Sequence, residues 1–367
     1  MKAAVFTEQN KPLQIQEVPL PEVQAGEILV KVVACGVCHT DLHYIDHGVP
    51  TFKKPPIILG HEASGIVEST GTSSGLPERQ SPSSDSTLPL CNGNKFQKGD
   101  RVLIPSVLTC GKCEFCLSGR SNICANMIMP GNHIDGAFAQ YVKVPEKDVI
   151  HMPDEIPLEE GCIIADAIST PYHAVINRAK IKSGERVIVF GCGGVGINVV
   201  QIAALQGAEV IACDIDDKKL DTALELGAKY TVNPDKIPVS SFLKQNGGFV
   251  DAAFEVIGKP ETIETAYKTL GITGRLCVIG YTNQNISINP AKIMFYEQEI
   301  IGSIGCKPND YAEIIKLVLD KKIRLDKLIA NKYELENINK AFDELRESQV
   351  LRNIIFPNGK GQDPLFK

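Results

Sequence analysis

One glycine-rich segment constrains the fold of this chain more than any other feature of its sequence. Gly191, Gly193 and Gly196 follow the spacing G-x-G-x-x-G, directly after an apolar run at 186–190 and before a helical stretch. In that context the pattern predicts the strand-to-helix turn of a dinucleotide-binding βαβ unit. The first glycine permits the tight bend, the second lets a pyrophosphate approach the backbone, and the third lets the helix pack against the strand.

The same segment predicts how a dinucleotide would bind. Backbone N–H groups at the helix start, from Gly194 onward, face the phosphates together with the positive end of the helix dipole. Asp214 ends the next strand, about twenty residues further on, where a carboxylate bonds the ribose hydroxyls and repels a 2′-phosphate. We therefore expect NAD instead of NADP, with Lys219 within reach of the ribose. The alternative is a structural glycine turn beside a surface acid.

The pattern of apolar residues predicts two kinds of domain. The first hundred residues contain short alternating or β-branched segments separated by glycine and proline, which favour antiparallel strands. From about Asp154 onward, compact strands alternate with helical stretches, which is typical of a doubly wound parallel sheet. The predicted elements of this second part are strands at 186–190, 209–213, 250–254, 275–279 and 351–356 and helices at 217–226, 311–319 and 338–345.

Length and composition set the domain organisation. A chain of 367 residues exceeds one ordinary domain. The change of pattern near Asp154 divides the chain into a β-rich part at 1–153 and a part with alternating strands and helices at 154–305, followed by a tail at 306–367. The Ser/Pro-rich stretch at 71–95 is predicted to be an exposed loop.

Charge and hydropathy exclude several classes of partner. The net charge of -6 is spread along the chain and gives no reason to expect nucleic acid or an anionic membrane surface. No apolar run is long enough to span a bilayer, and the N-terminal residues lack the pattern of a signal peptide. The expected compartment is the cytoplasm.

Four of the twelve cysteines form one tight cluster. Cys110, Cys113, Cys116 and Cys124 have the spacing C-x2-C-x2-C-x7-C, and four thiolates in one short lobe suit tetrahedral zinc. Such a site has no open position, so the predicted zinc is structural. An iron–sulfur cluster and unmetallated thiols are the alternatives.

A second group of residues has the composition of a catalytic zinc site. Cys38 opens the segment Cys-His-Thr-Asp-Leu-His, and His61 follows about twenty residues later in Gly-His-Glu. Catalytic zinc keeps three protein ligands and one open position, and mixtures of cysteine and histidine are common there. We assign Cys38 and His61 as two ligands.

With these motifs in place, the chain resembles the zinc-containing alcohol dehydrogenases of the medium-chain dehydrogenase/reductase superfamily over nearly its whole length. That family implies an NAD-binding Rossmann domain, here at 154–305, joined to a GroES-like, mainly β catalytic domain at 1–153, to which the chain returns at 306–367. The resemblance is carried by the glycine turn, the cysteine cluster and the segments at 36–43, 60–62, 99–102 and 136–142.

The resemblance implies roles for four residues of the active site. Thr40 matches the hydroxyl that bonds the substrate oxygen, and His43 matches the histidine that passes the proton to solvent. Asp41 matches the acid behind the histidine ligand, and Glu62 matches the carboxylate near the metal.

The resemblance also implies contacts to the cofactor. His39 and Arg352 match basic positions at the pyrophosphate, whereas Thr170 and Val195 match contacts to the nicotinamide.

The third zinc ligand departs from the commonest family pattern. Many members have cysteine four residues before the threonine that matches Thr170, whereas this chain has Asp166 there. A carboxylate can ligate zinc, so we expect Asp166 as the third ligand. Cys162, one helical turn earlier, is the alternative.

The expected activity is the reversible oxidation of a secondary or primary alcohol with NAD, with two zinc ions per chain. The segments at 46–56 and 165–172 are also similar to the 6-hydroxycyclohex-1-ene-1-carbonyl-CoA dehydrogenases, in which case the substrate is a hydroxyacyl-CoA thioester and Lys53 and Lys54 are candidate contacts. Other hypotheses are a catalytically inactive zinc-binding scaffold and a zinc-free quinone or enoyl reductase.

The resemblance implies a homodimer or homotetramer.

Overall fold

The structure of the protein is a computed structural model that describes residues 1–71, 96–348 and 350–366. Apart from Gly71, the loop expected at 71–95 lies outside these ranges. No helix of the described chain is long and apolar enough to cross a membrane.

Strands are distributed along the whole described chain. They are β1 (Lys2–Phe6), β2 (Gln14–Glu17), β3 (Glu27–Gly36), β4 (Ile57–Ile58), β5 (Glu62–Thr70), β6 (Arg101–Ile104), β7 (Tyr141–Pro145), β8 (Ile150–His151), β9 (Arg186–Phe190), β10 (Glu209–Cys213), β11 (Tyr230–Val232), β12 (Val250–Glu255), β13 (Leu270–Val278), β14 (Glu299–Gly302), β15 (Ile329–Glu334) and β16 (Arg352–Phe356).

Helices are concentrated in the second half of the chain. They are α1 (His39–Ile45), α2 (Glu114–Leu117), α3 (Leu158–Gly161), α4 (Ser169–Tyr172), α5 (Gly196–Leu205), α6 (Asp217–Glu225), α7 (Val239–Gln245), α8 (Pro260–Lys268), α9 (Pro290–Tyr296), α10 (Tyr311–Leu319) and α11 (Ile338–Arg346).

The chain divides into two compact units. The first comprises Met1–Asp166, Lys307–Asp320 and Leu328–Lys367, and the second comprises Ala167–Cys306 and Lys321–Lys327. The first unit continues past the sequence boundary at residue 153 because the segment up to Asp166 bonds to its strands. The Ser64 hydroxyl donates to the Leu158 carbonyl at 2.5 Å, and the Ser106 amide donates to the Ala165 carbonyl.

A six-stranded parallel sheet forms the centre of the second unit. Its order is β11-β10-β9-β12-β13-β14, the doubly wound dinucleotide-binding order. The central strand β9 is rich in valine and isoleucine because helices cover both faces of such a sheet, and Val187, Ile188 and Val189 are fully buried. The strand order reverses between β9 and β12, so the crevice at their carboxyl ends is where a ligand is expected.

A seven-stranded sheet dominates the first unit. Its main path is β15-β16-β3-β5-β6-β8, with β7 also paired to β3, and a smaller sheet has the order β2-β1-β4. The long strand β3 holds the larger sheet together because it pairs with β5, β7 and β16. Aliphatic side chains from these strands pack with Phe138 and Phe342 in one core.

A buried ion pair anchors the C-terminal segment to the first unit. Asp363 is fully buried and accepts hydrogen bonds from Arg101 Nη2 at 2.9 Å and from the Leu158 amide at 2.8 Å. Arg101 Nη1 also lies 3.4 Å from the carboxylate of Asp154, whose side chain is 79% exposed. The same guanidinium therefore has one buried and one solvent-screened partner.

Replacing Asp363 with asparagine should lower the free energy of unfolding by about 3 kcal/mol, because it leaves a buried guanidinium without its carboxylate. Asp154→Asn is the matched control and should change the free energy of unfolding by less than about 1 kcal/mol, since the Asp154 carboxylate is itself exposed to solvent. Urea unfolding of both variants at fixed zinc concentration measures the difference. Equal losses would show that the buried pair does not anchor the tail.

Candidate active site

Three side chains converge at one end of the large sheet. Cys38 lies at the N-terminal cap of α1 just after β3, His61 precedes β5, and Asp166 follows a short 3-10 turn at Cys162–Ala165. Cys38 Sγ lies 3.8 Å from Asp166 Oδ2, and His61 Nε2 lies 3.7 Å from the same oxygen. Bond lengths to zinc of about 2.0–2.3 Å imply ligand atoms about 3.4–3.8 Å apart in a tetrahedral site. The observed separations fit zinc.

The surroundings of His61 also fit a metal ligand. Its side chain is buried, and neither ring nitrogen has a hydrogen-bond partner among the residues that the structure describes. Burial opposes the charged imidazole, but the carboxylates of Asp41 and Asp166 hold the pKa of His61 well above its usual value. A ring nitrogen that is buried without a hydrogen bond is costly unless another group satisfies it. A zinc ion would be bound by Cys38 Sγ, His61 Nε2 and Asp166 Oδ2.

Asp41 connects the two metal-binding segments. It is fully buried in the first turn of α1, where its Oδ2 accepts from the Cys38 amide at 3.3 Å and its Oδ1 accepts from the Gly60 amide at 3.3 Å. The same Oδ1 lies 3.6 Å from His61 Nδ1. Such a carboxylate fixes the orientation of a histidine whose other nitrogen binds a metal.

Glu62 lies beside the metal-binding group, where the family resemblance places a carboxylate. One oxygen of its carboxylate lies within 4.8 Å of ligand atoms of Cys38, His61 and Asp166. Burial raises the pKa of Glu62 to about 7 against the opposing charge of Arg352. A Cβ at Gly36, on the neighbouring strand, would lie 2.2 Å from Glu62 Oε2, so only glycine leaves room for this carboxylate.

Arg352 is the positive partner of this buried group. It opens β16, is 2% exposed, and places Nη1 3.2 Å from Glu62 Oε1 and 2.8 Å from the Val37 carbonyl. Sequence reasoning assigned this arginine to the cofactor pyrophosphate and missed its ion pair with Glu62. The ion pair joins chain segments far apart in sequence, so no local signal reveals it. The pyrophosphate contact stays a prediction.

Ser106 is a second residue that sequence reasoning missed. Its Oγ lies 3.3 Å from Asp166 Oδ1 and donates to it, which leaves Oδ2 directed at Cys38 and His61. The alternative ligand Cys162 is fully buried, and its Sγ donates to the Glu159 carbonyl at 3.6 Å. Among the described residues, Cys162 is not part of the group whose ligand atoms come together.

The residues expected to move a proton lie on α1. Thr40 is half-buried, and its Oγ1 lies 3.6 Å from Cys38 Sγ, beside the metal-binding group. His43 follows one helical turn later, is half-buried, and places Nδ1 3.0 Å from Nδ1 of exposed His47. Burial, and to a lesser degree the neighbouring His47, lowers the pKa of His43, which favours the neutral imidazole. His39 is exposed at the start of the same helix.

The four cysteines form the compact lobe that their spacing predicts. Sulfur–sulfur distances are 3.5 Å for Cys113 and Cys116, 3.8 Å for Cys113 and Cys124, and 3.9 Å for Cys110 and Cys116. These values match tetrahedral zinc with four thiolates. The backbone amides of Lys112 and Cys113 stabilise the charged sulfur of Cys110 and help lower its pKa to about 6.

In the second unit, the glycine turn has the geometry that its pattern predicts. Gly191 has a φ of 91°, in the region that favours glycine. A Cβ at Gly196 would lie 1.7 Å from the Gly191 carbonyl oxygen, so this glycine lets α5 pack tightly against the turn. A Cβ at Gly193 would meet no protein atom within 4 Å, as expected where a ligand approaches the backbone. Gly194 and Val195 lead directly into α5.

The acid after β10 lies beside this turn. Asp214 Oδ2 accepts from the Cys192 amide at 2.6 Å, and its Oδ1 accepts from the Asp216 amide at 2.9 Å. Lys219, half-buried on α6, is near enough for its charge to act on the Cys192 thiol. The glycine turn, Asp214 and Lys219 therefore lie together at the carboxyl ends of β9 and β10.

Asn198, which sequence reasoning missed, links the glycine turn to the segment that carries Thr170. Its Nδ2 donates to the Gly194 carbonyl at 2.8 Å and to the Ala167 carbonyl at 3.0 Å. Thr170 is buried in α4, which begins just after Ala167. A nicotinamide contact of Thr170 stays a prediction.

Comparisons with known proteins agree with this geometry. Residues 24–154 match the family model of the alcohol dehydrogenase GroES-like domain, and residues 194–320 match that of the zinc-binding dehydrogenases. The chain is 34% identical to an alcohol dehydrogenase of Geobacillus stearothermophilus over 97% of this chain and 99% of that protein. It is 30% identical to the sorbitol dehydrogenase of Bacillus subtilis (strain 168) over 98% of each.

A solved structure shows the same similarity in three dimensions. The alcohol dehydrogenase of Aeropyrum pernix superposes with a TM-score of 0.84 at 30% identity, covering 97% of this chain and 100% of that one. These findings confirm the predicted Rossmann and GroES-like fold and the expected enzyme class. The chain belongs to the zinc-containing alcohol dehydrogenase family of the medium-chain dehydrogenase/reductase superfamily and is an enzyme that acts on the CH–OH group of an alcohol.

Proposed function

We propose that the protein interconverts a secondary or primary alcohol and its ketone or aldehyde with NAD(H), at a zinc site formed by Cys38, His61 and Asp166. The observation that supports it most is the convergence of these three ligand atoms beside the Thr40 hydroxyl. When bound, the zinc supplies a Lewis acid for the substrate oxygen, and NAD supplies the hydride acceptor.

The residues of α1 handle the proton. A free hydroxyl is too weak a base to deprotonate an alcohol by itself, so Thr40 accepts a proton from the substrate and donates its own onward. His43, one turn further along the helix, receives it, because burial and His47 keep its imidazole neutral at neutral pH. Asp41 holds His61 in place and does not take part in this transfer.

Glu62 and Arg352 set the charge near the metal. The ion pair between them keeps the carboxylate next to the ligands without an uncompensated buried charge. We propose that Asp166, and not Glu62, is the third ligand, because Asp166 Oδ2 lies 3.8 Å from Cys38 Sγ and 3.7 Å from His61 Nε2, separations typical of zinc ligands, whereas Glu62 is paired with Arg352.

Asp166→Ala should remove one of two zinc ions per chain and reduce alcohol oxidation at least about a hundredfold, since the Lewis acid is lost. Cys162→Ala is the matched control and should keep both ions. Elemental analysis gives the zinc content. NADH absorbance with a panel of alcohols and hydroxyacyl-CoA esters gives the activity and the substrate class.

Two results would contradict this assignment. Loss of the catalytic zinc in Cys162→Ala but not in Asp166→Ala would make the cysteine the ligand. A wild-type protein with two zinc ions that forms no NADH from any compound of the panel would favour the inactive scaffold.

The cofactor is NAD, as we propose from the position of Asp214. Its carboxylate lies at the glycine turn, where a negative charge accepts hydrogen bonds from ribose hydroxyls and repels a 2′-phosphate.

Asp214→Asn keeps the shape of the side chain but removes its charge, so the ratio of kcat/KM for NAD to that for NADP should fall about tenfold. Steady-state kinetics with both cofactors measure this ratio. Asp221→Asn, an exposed acid on α6, is the control and should leave it unchanged. An unchanged ratio in Asp214→Asn would exclude Asp214 as the residue that selects NAD.

A simple alcohol is favoured over a CoA thioester. Of the two lysines considered for CoA phosphates, Lys53 is paired with Asp135 at 2.5 Å, so its charge is already compensated. The relatives named alcohol dehydrogenase and sorbitol dehydrogenase are named for alcohols and not for CoA thioesters. The four reduced thiols that a structural zinc needs favour the cytoplasm.

We also propose a homo-oligomer, a dimer or tetramer, that forms through the second unit. Strand β14 is the last strand of its sheet and is bonded to β13 on one side only within the described chain. Ile300 on β14 is 44% exposed, and Met294 and Phe295 on the preceding α9 are 65% and 74% exposed. An exposed apolar edge of this kind is a template for pairing with a second copy.

Ile300→Lys should shift the protein to monomers, because a charge at the edge opposes burial in a second copy. Leu224→Lys is the matched control, since Leu224 lies on α6 near the opposite edge and is 47% exposed. Light scattering after size exclusion gives the mass. A wild-type monomer, or an Ile300→Lys oligomer, would contradict the proposed interface.

A further inference from the structure

His47 lies next to His43, the last residue of the proposed proton path from Thr40. His43 is half-buried, whereas His47 is exposed and lies just past the end of α1. We infer that His47 is the terminal member of the proton relay, so that protons pass from His43 to His47 and from there to water. This inference rests on the proposed alcohol oxidation, because it concerns the proton that this reaction releases.

The backbone holds the two histidines together. Residues four apart in a helix lie on the same face, and the turn continues past Ile45 because the Asp46 amide donates to the Leu42 carbonyl at 2.7 Å. The Val49 amide then donates to the His43 carbonyl at 3.1 Å, which closes the loop around His47. The two rings are 5.2 Å apart between centroids and tilted by 47°.

The contact between Nδ1 of His43 and Nδ1 of His47 can carry a proton from one ring to the other. At 3.0 Å it is a hydrogen bond, and it requires one nitrogen to carry a proton and the other to accept it. When His43 accepts a proton at Nε2, its Nδ1 proton can cross to Nδ1 of His47. His47 then releases its Nε2 proton to water. One proton enters the pair and one leaves it, and no oxidation or reduction of either ring is involved.

Charged residues near the pair form ion pairs of their own. Asp46, between the two histidines in sequence, is held by Arg346 of α11 at 2.7 Å and 3.0 Å, and Arg346 also bonds Asp343. The N-terminal loop that packs here through Asn10 carries Lys11 and Glu8, which pair with each other at 2.7 Å. The other titratable groups of α1 are exposed His39, buried Asp41 and buried Tyr44, whose hydroxyl accepts from Asn132 Nδ2 at 2.8 Å.

A His47→Ala variant tests this relay in the zinc-loaded enzyme. We expect kcat for alcohol oxidation to fall about fivefold, less than the full effect of a general base, because water replaces the terminal acceptor poorly. Added imidazole should restore the rate in proportion to its concentration, as a solution base replaces the lost ring. The control is His151→Ala, since His151 lies in β8 and stacks on Phe96. This variant should keep the wild-type kcat and should not respond to imidazole. A kcat of His47→Ala that is equal to wild type, or that does not respond to imidazole, would overturn the inference.

A spectroscopic measurement tests the contact independently of turnover. In ¹⁵N-labelled protein, one of the two Nδ1 atoms should be protonated and the other bare, and His47→Ala should raise the pKa of His43 because a neighbouring imidazole is removed. An unchanged His43 titration would show that the two rings do not share a proton. Failure of the proposed function is distinguishable, since it would leave the wild-type enzyme inactive while the spectra still report the pair.

Discussion

The charge balance of one buried cluster is the constraint on which the rest of the active site depends. A thiol and three carboxylates surround His61 with little or no exposure to solvent; they belong to Cys38, Asp41, Glu62 and Asp166. Burying such groups without compensation costs several kcal/mol each. Arg352 provides one positive charge, and a zinc ion provides two. The sheet order explains the assembly, because β16, β3 and β5 are neighbours and place Arg352, Cys38 and the His61–Glu62 pair at one end.

The sequence predicts the elements whose residues are constrained locally. The glycine turn, β9, β10 and α10 are found where their patterns place them, because buried parallel strands and amphipathic helices carry strong periodic signals. Strand β14 and helix α9 were not predicted, because both are short and mostly exposed and therefore carry little apolar periodicity. The ion pair of Arg352 with Glu62 and the bond of Ser106 to Asp166 were also missed, since each joins segments whose proximity is set by the fold.

The site contains two kinds of residue: buried residues that hold the metal ligands, and residues of α1 that move the proton. In the buried cluster, Asp41 is held by two amide donors and contacts His61. The residues that move the proton lie along α1 toward solvent and change from half-buried Thr40 and His43 to exposed His47. Hydride transfer from an alcohol requires rigid metal ligands, because the metal position must stay fixed. It also requires a proton path that becomes more exposed toward water, because the proton must leave.

The central claim is that Asp166 completes a catalytic zinc site separate from the four-cysteine site. Anomalous diffraction at the zinc absorption edge from crystals of the wild-type protein tests it most directly. The account predicts two peaks, one among Cys110, Cys113, Cys116 and Cys124 and one within bonding distance of Cys38 Sγ, His61 Nε2 and Asp166 Oδ2, at about 2.0–2.3 Å. A single peak, or a second peak bonded to Cys162 in place of Asp166, would contradict it.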